Sequence, residues 1–168
     1  MPEAGRAGRM GPWLALAAAV VAFDRFTKAA VEARFEYGER LAVIDGFFDL
    51  VLVYNTGAAF SFLADAGGWQ RPFFIAVAVA ASGLILFLLR RHAGERWFAL
   101  GLALILGGAL GNLYDRIVLG HVVDFLLFHW RGWHYPAFNV ADSAITVGAA
   151  VLIVDGLRGS RREEARNA

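Results

Sequence analysis

Among the acidic residues in and beside the long apolar stretches of the chain, Asp124 and Asp142 stand apart from Asp24 and Asp115 because neither has a Lys or Arg within one helical turn. Asp142 has Asn139 at i−3, which puts an amide on the same helix face and within reach of the carboxyl group. Asp124 has His121 at i−3. Two carboxylates that meet without a nearby cation cannot easily both ionise. They share a proton, and their affinities for it split. That is what aspartic proteolysis needs: one ionised carboxylate to take a proton from water and one protonated carboxyl to polarise a carbonyl. The same pair would also suit a proton or ion relay, as in a small polytopic transporter or proton-conducting protein, or a structural polar cluster. Spacing alone leaves these three readings open.

Other chemistries are poorly provided for. The chain has no Cys, which removes thiol nucleophiles, thiolate zinc sites and disulfides. No GxSxG elbow occurs, and Ser61, Ser82 and Ser143 have no His partner at matching depth. The four His (His92, His121, His129 and His134) show no HExxH pairing, so neither a metal nor another cofactor is indicated. A formal net charge of +1 excludes a broadly basic nucleic-acid binder.

The elements that must carry these residues are apolar. Hydrophobic residues make up 58% of the 168-residue chain and charged residues 18%, and the mean hydropathy is +0.52. Soluble domains hold roughly 45–50% apolar and about 25% charged residues. Four stretches approach the ~20 residues that span a bilayer, at about 12–31, 72–89, 97–113 and 137–154. Arg6 and Arg9 ahead of the first would suit a secretory leader, but Asp24, Arg25 and Lys28 fall where a cleavage region should be small and uncharged, so a retained helix is expected. The tails and the 90–96 loop hold nine of the 16 Lys and Arg, so residues 1–11 and 155–168 are expected in the cytoplasm and loops 32–71 and 114–136 outside. The expected architecture is an all-α membrane protein. It forms one polytopic domain over residues 1–168, with a basic, disordered tail from Arg158 and nothing that requires more than a monomer.

In the first outer loop, residues 41–63 are rich in Val, Phe and Tyr with partial alternation, which predicts short strands and a small sheet on the outer surface. The Trp and Tyr of HWRGWHYP suit an interfacial belt.

Polar residues inside the spans converge on one depth. At ~1.5 Å per residue, Asp24 lies about 18 Å from the inner end of its helix, and Lys28 lies one turn further out. Asn112, Asp115 and Arg116 sit at the outer end of the third span, and Asn139 and Asp142 are about 3 and 8 Å in from the outer end of the fourth. Intramembrane ionisable residues usually mark function. Asp24 with Lys28, and Asn112 with Arg116, are also spaced as local i, i+4 pairs, and Asp115 adjoins Arg116. Gly107, Gly108 and Gly111 form a small-residue stripe of the kind that packs helices.

Four segments together resemble the bacterial lipoprotein signal peptidases, the type II signal peptidases: DRFTK at 24–28, NTGAAFS at 55–61, GGALGNLYDRIVLGHVVDF at 107–125 and FNVADSAITVG at 138–148. The resemblance covers residues 12–155. It implies a four-helix enzyme of the bacterial inner membrane with both termini cytoplasmic, an outward β-cradle and a catalytic pair at Asp124 and Asp142. The supporting or substrate-binding residues it implies are Asp24, Lys28, Asn55, Gly57, Gly108, Asn112, Asp115, Arg116 and Asn139. The implied substrate is a prolipoprotein whose lipobox Cys carries diacylglycerol, met among membrane phospholipids at the outer, periplasmic face and cut just before that Cys. The roles expected are Asn112 and Asn139 orienting carboxylates or substrate, Arg116 pairing with Asp115, and Phe47, Phe48, Phe60 and Phe62 lying over the substrate, with Gly57 and Ala58 leaving room for its backbone.

Overall fold

The computed structural model describes residues 10–57 and 67–167, with side chains through residue 158. Phe60, Phe62, Ala58, Ser61, Arg6 and Arg9 lie outside the described residues. The order of elements is α1 (Gly11–Glu32), β1 (Arg40–Ile44), β2 (Phe48–Asn55), α2 (Gln70–His92), α3 (Arg96–Val118), β3 (Val122–Trp130), β4 (Trp133–His134) and α4 (Val140–Asn167).

Three helices, Gln70–His92, Arg96–Val118 and Val140–Arg158, are long and apolar enough to cross a membrane. The remaining helix among the described residues, α1, carries Asp24, Arg25 and Lys28 in its C-terminal half and is less uniformly apolar. α3 is the most buried of the three and forms the axis of the bundle. Its glycines explain how the neighbours approach so closely. A Cβ on Gly107 would come within 2.6 Å of the Val20 Cβ on α1, and one on Gly108 within 2.3 Å of the Ala141 carbonyl oxygen on α4. On the far side, Gly101 and Gly148 pack backbone to backbone. The small-residue stripe is therefore a packing device, as its spacing suggested. Toward the end of the bundle away from the sheet the core is Ala17, Ile85, Leu89, Ala99, Leu102 and Leu106.

The strands form the small sheet expected beside the helices, and carry it beyond loop 32–71 into loop 114–136. The four of them form one antiparallel sheet in the order β1-β2-β3-β4, drawn from both of the loops expected outside. The outer loop 32–71 supplies β1 and β2 where strands were predicted. β3 went unrecognised because Val122, Val123, Asp124 and Phe125 are all buried. A strand covered on both faces has no period-2 alternation to read. β3 lies beside β2, with Val53 opposite Asp124 and Asn55 opposite Val122. Across the sheet, Asp49 on β2 joins Arg40 on β1 and His129 on β3. A second core of Val31, Leu52, Val123 and Phe125 seats the sheet on the end of α1.

Two helix ends also differ from expectation. α3 runs on to Val118, which takes Asp115 and Arg116 into its last turn. α4 begins at Val140 rather than 137, and it continues to Asn167 where a disordered tail was expected. The start is set by a capping box. The Asn139 side chain accepts from the Asp142 N–H at 2.9 Å, and the Asp142 carboxylate accepts from the Asn139 N–H at 3.3 Å.

The packing yields a prediction. Gly108→Ala must push α4 away from α3 and should cost roughly 1–3 kcal/mol of stability. Gly83→Ala, which meets nothing within 4 Å, should be neutral or slightly stabilising. Thermal unfolding in detergent micelles checks the pair, and equal melting temperatures would refute the close-packing account.

Candidate active site

The site is assembled around a buried ammonium. Lys28 is 0% exposed, and its three N–H donors find three acceptors: Asp24 Oδ2 at 2.7 Å, Asp115 Oδ2 at 2.8 Å and Asn112 Oδ1 at 3.0 Å. The Asp24–Lys28 pair read from the sequence is present, and it is part of a larger network. Asp24 Oδ1 accepts from the Ala141 N–H at 2.9 Å, capping an orphan donor in the first turn of α4. Gly111 makes room for the Asp24 carboxylate, since a Cβ there would lie 2.8 Å from Asp24 Oδ2. Asp115 Oδ2 also accepts from the Val123 N–H at 3.3 Å, which fixes the strand residue next to Asp124.

Asp115 does not pair with Arg116 as expected. Its Oδ1 is taken by Arg25, whose guanidinium also lies 4.6 Å from the ring centroid of Tyr114. The sequence reading passed over Arg25. The available signal was a second cation one residue after Asp24 in an otherwise apolar span. Two cations, Lys28 and Arg25, thereby offset two buried carboxylates, Asp24 and Asp115. Arg116 is released for another task. It donates to the Gly57 carbonyl at 3.0 Å and to the Asn112 carbonyl at 3.3 Å, and it lies over the Phe74 ring.

The fold brings Asp124 and Asp142 to one cavity of about 710 Å3, shared with Asn55, Asn112, Arg116 and the aromatic side chains of Phe128, Trp133, Tyr135 and Phe138. Neutral amides hold both acids. Asp124 accepts from Asn139 Nδ2 at 2.7 Å and from Asn55 Nδ2 at 3.0 Å. Asp142 accepts from Asn112 Nδ2 at 2.8 Å. Asn139, fully buried, touches both: its side chain donates to Asp124, and its backbone N–H donates to Asp142. The amide of Asn112 has its orientation set by Lys28, because an oxygen facing the ammonium turns the NH2 toward Asp142. Asn55 is held likewise, its Oδ1 accepting from the Gly57 N–H at 2.9 Å. His121, the sequence neighbour of Asp124, instead packs its ring 4.1 Å from that of Tyr54.

Asp124 lies on β3, outside the helices, and is 3% exposed. Burial, with the Asp142 charge adding to it, pushes its carboxyl up to about 7. A carboxyl in that range can hold or release a proton near neutral pH. The cavity wall formed by Ser143, Ile145, Thr146 and Val147 belongs to α4, where Thr146 and Val147 are exposed. The site therefore opens sideways along the helix as well as under the sheet.

The network predicts that Lys28→Met is among the most damaging single changes. It leaves Asp24 and Asp115 buried around an apolar chain, with only Arg25 nearby, and should cost about 3–5 kcal/mol. Chemical unfolding in micelles measures it, and a loss under about 1 kcal/mol would show that the ammonium does not organise the fold.

The arrangement of this chain can be set beside known proteins. A family model described as signal peptidase (SPase) II matches residues 16–158. The lipoprotein signal peptidase of Ralstonia nicotianae is 58% identical over 160 residues, covering 95% of this chain and 92% of its own. That of Paraburkholderia phytofirmans is 58% identical over 154 residues, covering 92% of this chain and 89% of its own. A bacterial membrane enzyme solved in meso at 2.3 Å superposes with a TM-score of 0.83 at 29% identity, covering 92% of each chain. Another, solved at 1.9 Å, gives 0.79 at 29% identity, covering 90% of this chain and 96% of that one. With the match spanning the bundle, the sheet and every residue of the polar network, the chain belongs to the signal peptidase II family, the lipoprotein signal peptidases.

Proposed function

We propose that this peptidase is an intramembrane aspartic endopeptidase. It removes the signal peptide of diacylglyceryl-modified prolipoproteins by cutting just before the lipidated Cys. The observation that carries the reading is the pair of carboxylates, Asp124 and Asp142, lining one cavity and bridged by Asn139. The ionised member of the pair takes a proton from a water as that water's oxygen bonds to the scissile carbonyl carbon. The protonated member donates to the carbonyl oxygen, giving a neutral tetrahedral diol. Collapse breaks the C–N bond as a proton passes to the amine of the lipidated Cys. The products are a signal peptide with a new carboxyl terminus and a lipoprotein with a free amino terminus.

The supporting roles follow from the contacts. Asn55, Asn112 and Asn139 orient the carboxylates without fixing their charge. Asp24, Lys28 and Asp115 set the helix ends, while Gly108 lets α4 reach the site. Arg116 and Gly57 shape the cavity rim. The aromatic side chains and the exposed face of α4 suit a substrate that is part lipid and part peptide. The protein is read as a single polytopic domain of the bacterial inner membrane, with α1 as a fourth span, both termini cytoplasmic and the dyad near the periplasmic face.

Asp124→Asn and Asp142→Asn should each reduce cleavage of a lipidated precursor by about 10³-fold or more, while the variants stay folded in the membrane. Substantial turnover by either would remove the dyad and favour a relay or transport role for the same residues. The pH profile has a definite sign. With the Asp124 carboxyl at about 7, the pair's shared proton is present below that pH and lost above it. Activity should therefore fall as pH rises through neutrality, and a rate that stays flat to strongly alkaline pH would contradict the shared proton. A reporter fused after Gly94 should read cytoplasmic and one near Gly132 external. The reverse would put the site on the wrong face for exported substrates.

A further inference from the structure

The outer end of α3 ends in a problem that a residue of α2 solves. The last carbonyls of a helix have no intrahelical partner. The Asp115 carbonyl is met twice, by the Leu119 N–H at 2.7 Å and the Gly120 N–H at 3.1 Å. The next two are met by one side chain. Arg71 Nε donates to the Arg116 carbonyl at 2.8 Å, and Arg71 Nη2 donates to the Ile117 carbonyl at 2.9 Å. Gly120, at φ +85°, turns the chain beneath this guanidinium. A cation belongs at this end of a helix, where the macrodipole is negative, and a planar fork suits two adjacent carbonyls better than a point charge does.

The capped residue is Arg116, whose own guanidinium reaches back to the Gly57 carbonyl and lines the cavity. Arg116 is thus gripped from both directions, by Arg71 at its carbonyl and by Gly57 at its side chain. The two carboxylates take their direct hydrogen bonds from Asn side chains and backbone, not from Arg116. Asp124 is held by Asn55 and Asn139, and Asp142 by Asn112 and Asn139. The Arg71 cap therefore acts first on the cavity rim, and reaches the reacting groups only at second hand, through Gly57 to Asn55 and through the Asn112 carbonyl.

We infer that Arg71 is a positioning residue for substrate binding, acting through Arg116 and the last turn of α3. The inference rests on the cavity being the substrate site, as proposed above. Its signature is a split between the kinetic constants. Arg71→Ala should raise KM for a diacylglyceryl-Cys precursor about five- to tenfold and leave kcat within about twofold. Arg71→Lys keeps the charge but loses the planar fork that fits two adjacent carbonyls, and should fall between Arg71→Ala and the wild type.

The experiment uses the full-length enzyme in micelles, a synthetic lipidated precursor peptide and a thermal melt of each variant. A KM for Arg71→Ala within about twofold of wild type overturns the proposal, whatever happens to kcat or Tm, because a purely structural cap would lower folded enzyme without changing KM. Should Arg71→Ala not fold, Arg71→Gln, which loses both the charge and the fork, is judged by the same criterion. Asp124→Asn is assayed alongside. Turnover retained there would remove the carboxylate mechanism while leaving the Arg71 comparison intact, so the two readings fail separately.

Discussion

The architecture turns on one ammonium group removed from water. A buried charge is costly unless it is paired and fully hydrogen-bonded, and Lys28 meets that requirement with three acceptors, two of them charged, for its three donors. Each acceptor passes the constraint to another element. Asp24 caps α4 through Ala141. Asp115 holds β3 through Val123. Asn112 presents its amide to Asp142. A side chain on α1 thereby sets the relative positions of α3, α4 and β3, all of which contribute to the cavity.

The acids of the protein divide into two kinds by the company they keep. Asp24 and Asp115 face cations and serve as fixed negative charges. Asp124 and Asp142 face amides, which orient an oxygen by hydrogen bonding while adding no full charge. Environments that push titratable groups apart in this way are how one site separates structural from chemical carboxylates. The distant cations still matter, since Lys28 reaches Asp142 through a single Asn112 amide. The contrast drawn from sequence, that the pair lacks a local cation, is true along the chain and softened in space.

Close approach makes the network possible. Asp24 can reach the start of α4 only because Gly111 leaves room beside α3, and α4 can reach α3 only because Gly108 has no side chain. The same glycines that read as a packing stripe are thus the condition for the polar contacts. The capping box at Asn139 and Asp142 has a double use as well. It stops α4 short of the expected boundary and leaves the Asp142 carboxylate at a helix N-terminus, where negative charge is favoured.

The sequence by itself determines what is local. The apolar runs marked the helices, the i, i+4 spacing marked the Asp24–Lys28 pair, and the shared depth of the polar residues marked their convergence. Local patterns work there because helix geometry makes neighbours of residues three and four apart. Only the tertiary structure decided the rest. Arg25 rather than Arg116 takes Asp115, β3 is a strand because both of its faces are covered, and Arg71 reaches across from α2 to close α3. These contacts join residues up to 90 positions apart, and they exist only once glycine-lined helices have packed and brought together side chains that no periodicity relates.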